Sequence, residues 1–179
     1  EINMIKKVFP FTIFGIASGA LSLFVFILSL NESLPGTNLL SYGPGFIFGI
    51  TISVLLYFKF RKSIYFHIIF IIGSIFAYYI ATHTFFYLNN ENNSTTALLA
   101  AGLIGSLVLT IILRCVYFIP IKYLLAIVVV GTLAGIPDPD KFMIFPLWQA
   151  TVSTVIGFAM NKSILNSHKT QPKSISAIA

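Results

Sequence analysis

The sequence predicts an all-α, polytopic membrane protein: a helical bundle of six transmembrane helices with its N- and C-termini in the cytoplasm. Of the 179 residues, 57% are apolar and only 9% are charged, whereas roughly 25% of the residues in an average soluble domain are charged. The mean hydropathy is +0.93. The apolar residues also form long runs, with turn-forming residues and most of the charges between them. Lipid accommodates such an apolar exterior, whereas water does not.

Six apolar stretches are long enough, or nearly so, to cross a hydrocarbon core of about 30 Å at about 1.5 Å per helical residue. The predicted spans are residues 9–30, 45–60, 64–86, 97–118, 121–136 and 143–160. We predict one six-helix membrane domain over 1–164, followed by a polar cytoplasmic tail over 165–179. The links after the second and fourth spans are short, which predicts tight antiparallel hairpins.

The charges predict the orientation of this bundle. With the N-terminus inside, ten of the 11 Lys and Arg residues fall on the cytoplasmic side, and four of the five acidic residues fall outside. This is the positive-inside pattern for an even number of spans. We interpret the membrane as the cytoplasmic (inner) membrane of a bacterium.

The net charge of +6 therefore describes a basic cytoplasmic rim. Such a rim attracts anionic lipid, and we expect the lipid bilayer, not nucleic acid, as the partner. The simplest interpretation of these residues is that they determine topology. A second interpretation is that some of them bind lipid phosphates. The candidates for phosphate contact are Arg61, Lys62, Arg114 and Lys122.

Small residues predict where the helices touch, because close backbone approach drives helix association in lipid. The candidate packing positions are Gly15 with Gly19, Gly45 with Gly49, Ala101 with Gly105, and Gly131 with Gly135. The simplest interpretation is a compact bundle whose small-residue faces meet one another. The alternative is that such a face binds a membrane protein partner or a second copy of the chain.

The predicted spans contain no Asp or Glu. This argues against carboxylate-dependent proton or sodium coupling and against paired-carboxylate hydrolysis. One Cys and three scattered His residues are a poor basis for metal binding. We therefore expect no cofactor, and we find no catalytic constellation that would make the protein an enzyme.

Two spans carry polar faces that suggest a ligand site. In the third span, Tyr79 and His83 share a face at i and i+4; in the sixth, Gln149 and Ser153 do the same. The simplest interpretation of Gln149 is an interhelical hydrogen bond. The functional one is an outward-opening cavity lined by these four side chains, with Trp148 at its rim.

These observations favour a solute-binding or transport protein, or a transporter membrane subunit, for a neutral or weakly polar ligand. In size and number of spans the chain resembles the substrate-binding subunits of energy-coupling factor transporters. Its Tyr42, Gly43, Pro44 and Gly45 run is similar to Gly-Pro turns of that family, and the resemblance carries over no site residue. The alternative is a structural or assembly subunit of a membrane complex. A lipid-modifying enzyme is a third hypothesis without a nucleophile to support it.

Overall fold

The chain folds into six α-helices, and the part that the structure describes contains no β-strand. This computed structural model describes residues 2–30, 42–60, 63–89, 94–117, 119–134, 136 and 144–169. The all-α prediction is confirmed. The helices are α1 (Ile2–Leu30), α2 (Gly43–Phe60), α3 (Ile64–Asn89), α4 (Ser94–Tyr117), α5 (Ile121–Leu133) and α6 (Ile144–Lys169).

The helices follow the six predicted stretches in order and differ from them at the ends. α1 begins at Ile2 instead of residue 9, and α5 ends at Leu133 instead of residue 136. α6 continues to Lys169, into the region predicted as a tail, whereas 170–179 lie outside the described residues. Hydropathy marks the part of a helix that suits lipid, and hydrogen bonding continues the helix into polar sequence beyond it.

Three of the helices, α1, α3 and α4, are long and apolar enough to cross a membrane, which indicates a membrane protein. α2 and α5 are shorter apolar helices. With 13 residues, α5 extends about 20 Å, less than the hydrocarbon core of about 30 Å. The prediction of a membrane protein is therefore supported at this coarser level.

The six helices form a closed ring in chain order. Each helix packs on the next one, and α6 returns to pack on α1. Among the neighbours in this ring, α1 and α6 have the most extensive contact, and α5 and α6 have the least. α2 also touches α6 across the ring. This order makes the first and last helices neighbours despite their separation in sequence.

The ring buries polar side chains and exposes large apolar ones. Phe58 and Tyr87 are 76% and 78% exposed, for example, whereas Gln149 is completely buried. This polarity suits lipid, where an apolar exterior is already solvated and polar groups need partners inside the protein. The buried polar residues are Ser18, Ser22, Ser53, His67, Ser74, Ser106, Thr110, Gln149, Ser153 and Asn161.

Two glycines of α1 allow it to approach the backbone of α6. A Cβ atom on Gly15 would lie 2.6 Å from the carbonyl oxygen of Gln149 and 2.8 Å from the Cα of Ala150. A Cβ on Gly19 would collide with the backbone of Pro146. Neither position has room for a side chain, because the atoms in the way belong to backbone and cannot rotate aside.

The other candidate packing residues also face helices of the same chain. Gly45 and Gly49 of α2 lie against the backbone of α3. A Cβ on Gly105 would lie 3.0 Å from Ala81, also on α3. Ala101 is buried in α4. Gly131 of α5 lies against α4, whereas Gly135 lies outside the described residues.

We predict that Gly15→Ile lowers the thermal midpoint in detergent strongly, because the new side chain meets the α6 backbone. Overpacking of this kind costs about 3 kcal/mol of unfolding free energy. Ala17→Ile is the matched control, since Ala17 lies on an exposed face of the same helix. Equal midpoints for the two variants would contradict the close approach of α1 to α6.

Candidate functional site

The buried amide of Gln149 joins α6 to α1. The Ser18 hydroxyl donates to Gln149 Oε1 at 2.6 Å, and Gln149 Nε2 donates to Ser22 Oγ at 2.9 Å. The Ser22 hydroxyl in turn donates to the backbone carbonyl of Ser18 at 2.8 Å. Both polar atoms of the Gln149 side chain therefore have partners, as a buried amide requires.

Further polar contacts extend this α1–α6 seam, which we define as Ser18, Ser22, Gln149 and the two threonines Thr12 and Thr154. The hydroxyls of Thr12 and Thr154 lie 2.8 Å apart. Beside them, the Ser153 hydroxyl donates to the Gln149 backbone carbonyl. The structure thus directs Gln149 toward α1 and turns the hydroxyl of Ser153 back onto its own helix.

Tyr79 and His83 lie elsewhere, near the end of α3 that is opposite the lysine and arginine residues. Their ring centroids are 4.0 Å apart, and Tyr42 stacks on Tyr79 at 5.4 Å with the ring planes 2° apart. The two helices involved, α3 and α6, are not backbone neighbours in the ring. Tyr78 of α3 nevertheless stacks on Phe145 of α6, with ring centroids 5.7 Å apart. A cavity shared by Tyr79, His83, Gln149 and Ser153 stays a prediction.

A shallow groove of about 770 Å³ opens at the same end of the protein, on the outside of the ring between α3 and α4. His83 is the residue of the predicted site that lines it. The other lining residues are mostly apolar, and the groove is open at the protein surface. They are Thr84, Phe86, Tyr87, Leu88 and Ile104.

The structure places Trp148, the predicted rim residue, against α2. It is partly buried and packs on Phe48 of α2, with ring centroids 5.5 Å apart. Its indole Nε1 lies 3.1 Å from the position that a Cβ on Gly131 would occupy. The indole therefore lies among α2, α5 and α6, because Gly131 leaves room beside it.

Two hydroxyls on the neighbouring part of α4 are buried without a hydrogen-bond partner among the described residues. They belong to Ser106, which is completely buried, and Thr110, which is 9% exposed. Ser106 Oγ lies against Gly131, at the same point that the Trp148 indole approaches. We call Ser106, Thr110, Gly131 and Trp148 the hydroxyl–indole cluster. Its Ser106 lies near the midpoint of α4.

Other hydroxyls show that this situation is exceptional among the residues that the structure describes. Serine and threonine in helices commonly donate to the backbone carbonyl four residues earlier. Many hydroxyls here do so at 2.7 to 2.9 Å, on helices α2, α3, α5 and α6. Examples are Thr51, Ser74, Thr82, Thr132 and Thr154. Ser106 and Thr110 instead leave their donors unused, which costs about 1 to 3 kcal/mol for each buried group.

Sequence reasoning missed Ser106 and Thr110. The available signal was their spacing of i and i+4, which places two hydroxyls on one face of an otherwise apolar helix. We interpreted α4 through Ala101 and Gly105 alone. Serine and threonine usually satisfy themselves within a helix, so their presence gives no indication of an unused donor.

The basic residues that the structure describes lie at the opposite end of the bundle from Tyr42 and Tyr79. Arg114 Nη1 donates to the carbonyl of Ile119 at 2.7 Å and so stabilises the turn between α4 and α5. Lys122 lies over the ring of the adjacent Tyr123, at 5.3 Å from its centroid. Arg61 and Lys62 lie outside the described residues. Phosphate binding at these positions stays a prediction.

Comparison with known proteins gives no family for this chain. No protein-family model matches it, and no curated protein or solved structure shows significant similarity to it.

We predict opposite effects for two Ser→Ala variants on thermal unfolding in detergent. Ser18→Ala lowers the unfolding free energy by about 1 kcal/mol, because Gln149 Oε1 loses its donor. Ser106→Ala raises it by about 1 kcal/mol, because an unused buried donor is removed. In a protein of this size, 1 kcal/mol shifts the midpoint by about 2 to 4 °C. A loss of stability in Ser106→Ala equal to that in Ser18→Ala would show that the Ser106 hydroxyl has a partner.

Proposed function

We propose that the protein is a six-span membrane protein that binds or transports a neutral or weakly polar solute, alone or as the membrane subunit of a transporter. The observation that carries this proposal is the hydroxyl–indole cluster. It places unused hydrogen-bond donors near mid-depth in an apolar bundle, and transporters bind their substrates at this depth. A protein selected for stability alone would gain by removing such donors.

The chemistry of the interior favours a neutral solute. Among the described residues, the buried polar side chains are hydroxyls, amides and one imidazole, and the predicted spans contain no carboxylate. A charged solute entering this interior would have to leave water without a counter-charge, which is costly in lipid. The proposed activity therefore operates without carboxylate-based ion coupling.

Six spans agree with the ring and with the placement of charge. Lys59 lies in the last turn of α2, Arg114 in the last turn of α4, Lys122 in the first turn of α5 and Lys162 in the second half of α6. Alternating helix directions bring these residues to one end of the ring. Positive residues favour the cytoplasmic side, so we place both termini there. An all-helical bundle also fits the bacterial cytoplasmic membrane better than the outer membrane, which houses β-barrels.

The alternative of an assembly subunit has less support. It relies on small-residue faces that are open to a partner, whereas Gly15, Gly19, Gly45 and Gly49 lie against helices of the same chain. A lipid-modifying enzyme has even less support. The thiol of Cys115 adjoins Arg114, but among the described residues no histidine or carboxylate forms a hydrogen bond with it. We therefore retain solute binding as the proposed function.

The topology is tested by single cysteines in a Cys115→Ser background, expressed in bacteria and treated with a membrane-impermeant maleimide. Tyr87→Cys should react in intact cells, because it lies at the outer end of α3 and is highly exposed. Lys122→Cys and Lys162→Cys should react only after permeabilisation, which also serves as the reactivity control. Labelling of Lys162→Cys in intact cells would contradict six spans.

The solute-binding proposal is tested by native mass spectrometry of the purified full chain after incubation with a deproteinised extract of its host. We expect the mass of one chain plus a small neutral adduct. A heat-denatured sample of the protein, incubated with the same extract, is the control for non-specific adducts. A chain that carries no adduct, whether alone or in complex with another membrane protein, would overturn the proposal.

A further inference from the structure

We propose that the hydroxyl–indole cluster binds an uncharged acceptor oxygen of the solute, so that the solute is a small alcohol or amide. This inference rests on the proposed function and adds the class of solute and the atoms that recognise it. Ser106 and Trp148 are the donors that converge on this oxygen, and Thr110 supplies a further donor one helical turn away.

The geometry of Gly131 brings two donors to one point. Ser106 Oγ occupies the place that a Cβ on Gly131 would take, and Trp148 Nε1 lies 3.1 Å from that place. The two atoms are therefore no more than about 5 Å apart, which is close enough for one oxygen atom to accept a hydrogen bond from both. A side chain at residue 131 would displace the Ser106 hydroxyl, so the glycine keeps the two donors together.

The donors determine the chemistry of the bound group. An indole N–H donates and does not accept, and a serine or threonine hydroxyl supplies one donor proton. A solute oxygen from an alcohol or amide accepts hydrogen bonds from these donors without introducing a charge. A carboxylate or phosphate would introduce a charge that no described residue of the cluster balances, which is unfavourable in a desolvated interior.

The surroundings suit a small molecule with an apolar part. Trp148 packs on Phe48, which provides an aromatic wall beside the donors. The cluster also lies where α5 meets α4 and α6, and α5 and α6 have the least contact of any ring neighbours. Separation of these two helices would open the cluster while the α1–α6 seam keeps the ring together.

Trp148 allows a direct test, because it is the single tryptophan of the chain. The full-length protein in lipid nanodiscs is titrated with glycerol and with acetamide while the emission of Trp148 is recorded. We expect a saturable change with at least one of these probes. Tetramethylammonium and formate, which are charged, should give no saturable change.

Variants connect the signal to the cluster. Ser106→Ala should weaken the apparent affinity at least tenfold, and Thr110→Val, which keeps the side-chain shape, should also weaken it. Ser74→Ala is the matched control, since Ser74 is buried and its hydroxyl donates to the Phe70 carbonyl. Its affinity should equal that of the unchanged protein. Thermal midpoints establish that each variant is folded. If Ser106→Ala does not fold, the affinity of Thr110→Val provides the test.

The outcomes separate this inference from the proposed function. A saturable signal that neither cluster variant weakens would overturn the role of Ser106 and Thr110. If charged probes bind and neutral ones do not, or if no probe binds although a host-derived adduct is present in native mass spectra, the proposed solute class is wrong and solute binding stands. Absence of both the signal and the adduct overturns both.

Discussion

The closed ring depends on the contact between the first and last helices, which Gln149 joins by hydrogen bonds to Ser18 and Ser22. Apolar surfaces gain little from association in lipid, so such a contact must come from packing and polar bonds. Interhelical hydrogen bonds in membranes contribute about 0.6 kcal/mol each on average. Two such hydrogen bonds alone would hold α1 and α6 together only weakly. The backbone approach at Gly15 and Gly19 supplies the dispersion contacts that complete it.

The same constraint explains why hydroxyls dominate the interior. A hydroxyl on a helix can donate a hydrogen bond to a backbone carbonyl of the preceding turn, so it adds polarity without requiring a partner from another helix. Thr132 and Ser74 do this on α5 and α3. Ser106 and Thr110 retain the same chemistry but leave the donor available. The two kinds of hydroxyl thus differ in a single hydrogen bond, although the residue types are identical.

The sequence allowed the helices to be predicted well because hydropathy and turn residues act locally. The ends of the helices were predicted less well. α6 continues nine residues beyond its predicted end at 160, because backbone hydrogen bonding continues a helix past its apolar segment. For the site, local spacing identified Tyr79 with His83, which are in contact. It did not show that α6 turns Gln149 toward α1. The direction of the Gln149 side chain depends on the order of the helices in the ring, which brings residues more than 120 positions apart into contact.

The unequal contacts of α6 follow from this ring order and have a consequence for the site. One face of α6 is fixed to α1 by hydrogen bonds and close backbone contact. Another face meets α5, which has 13 residues and little contact with α6. Local opening of a protein occurs where the fewest contacts are lost, so the α5–α6 boundary separates at lower cost than the α1–α6 seam. Because Trp148 and Gly131 lie at this boundary, the weakest junction of the ring is also the one nearest to the unused donors.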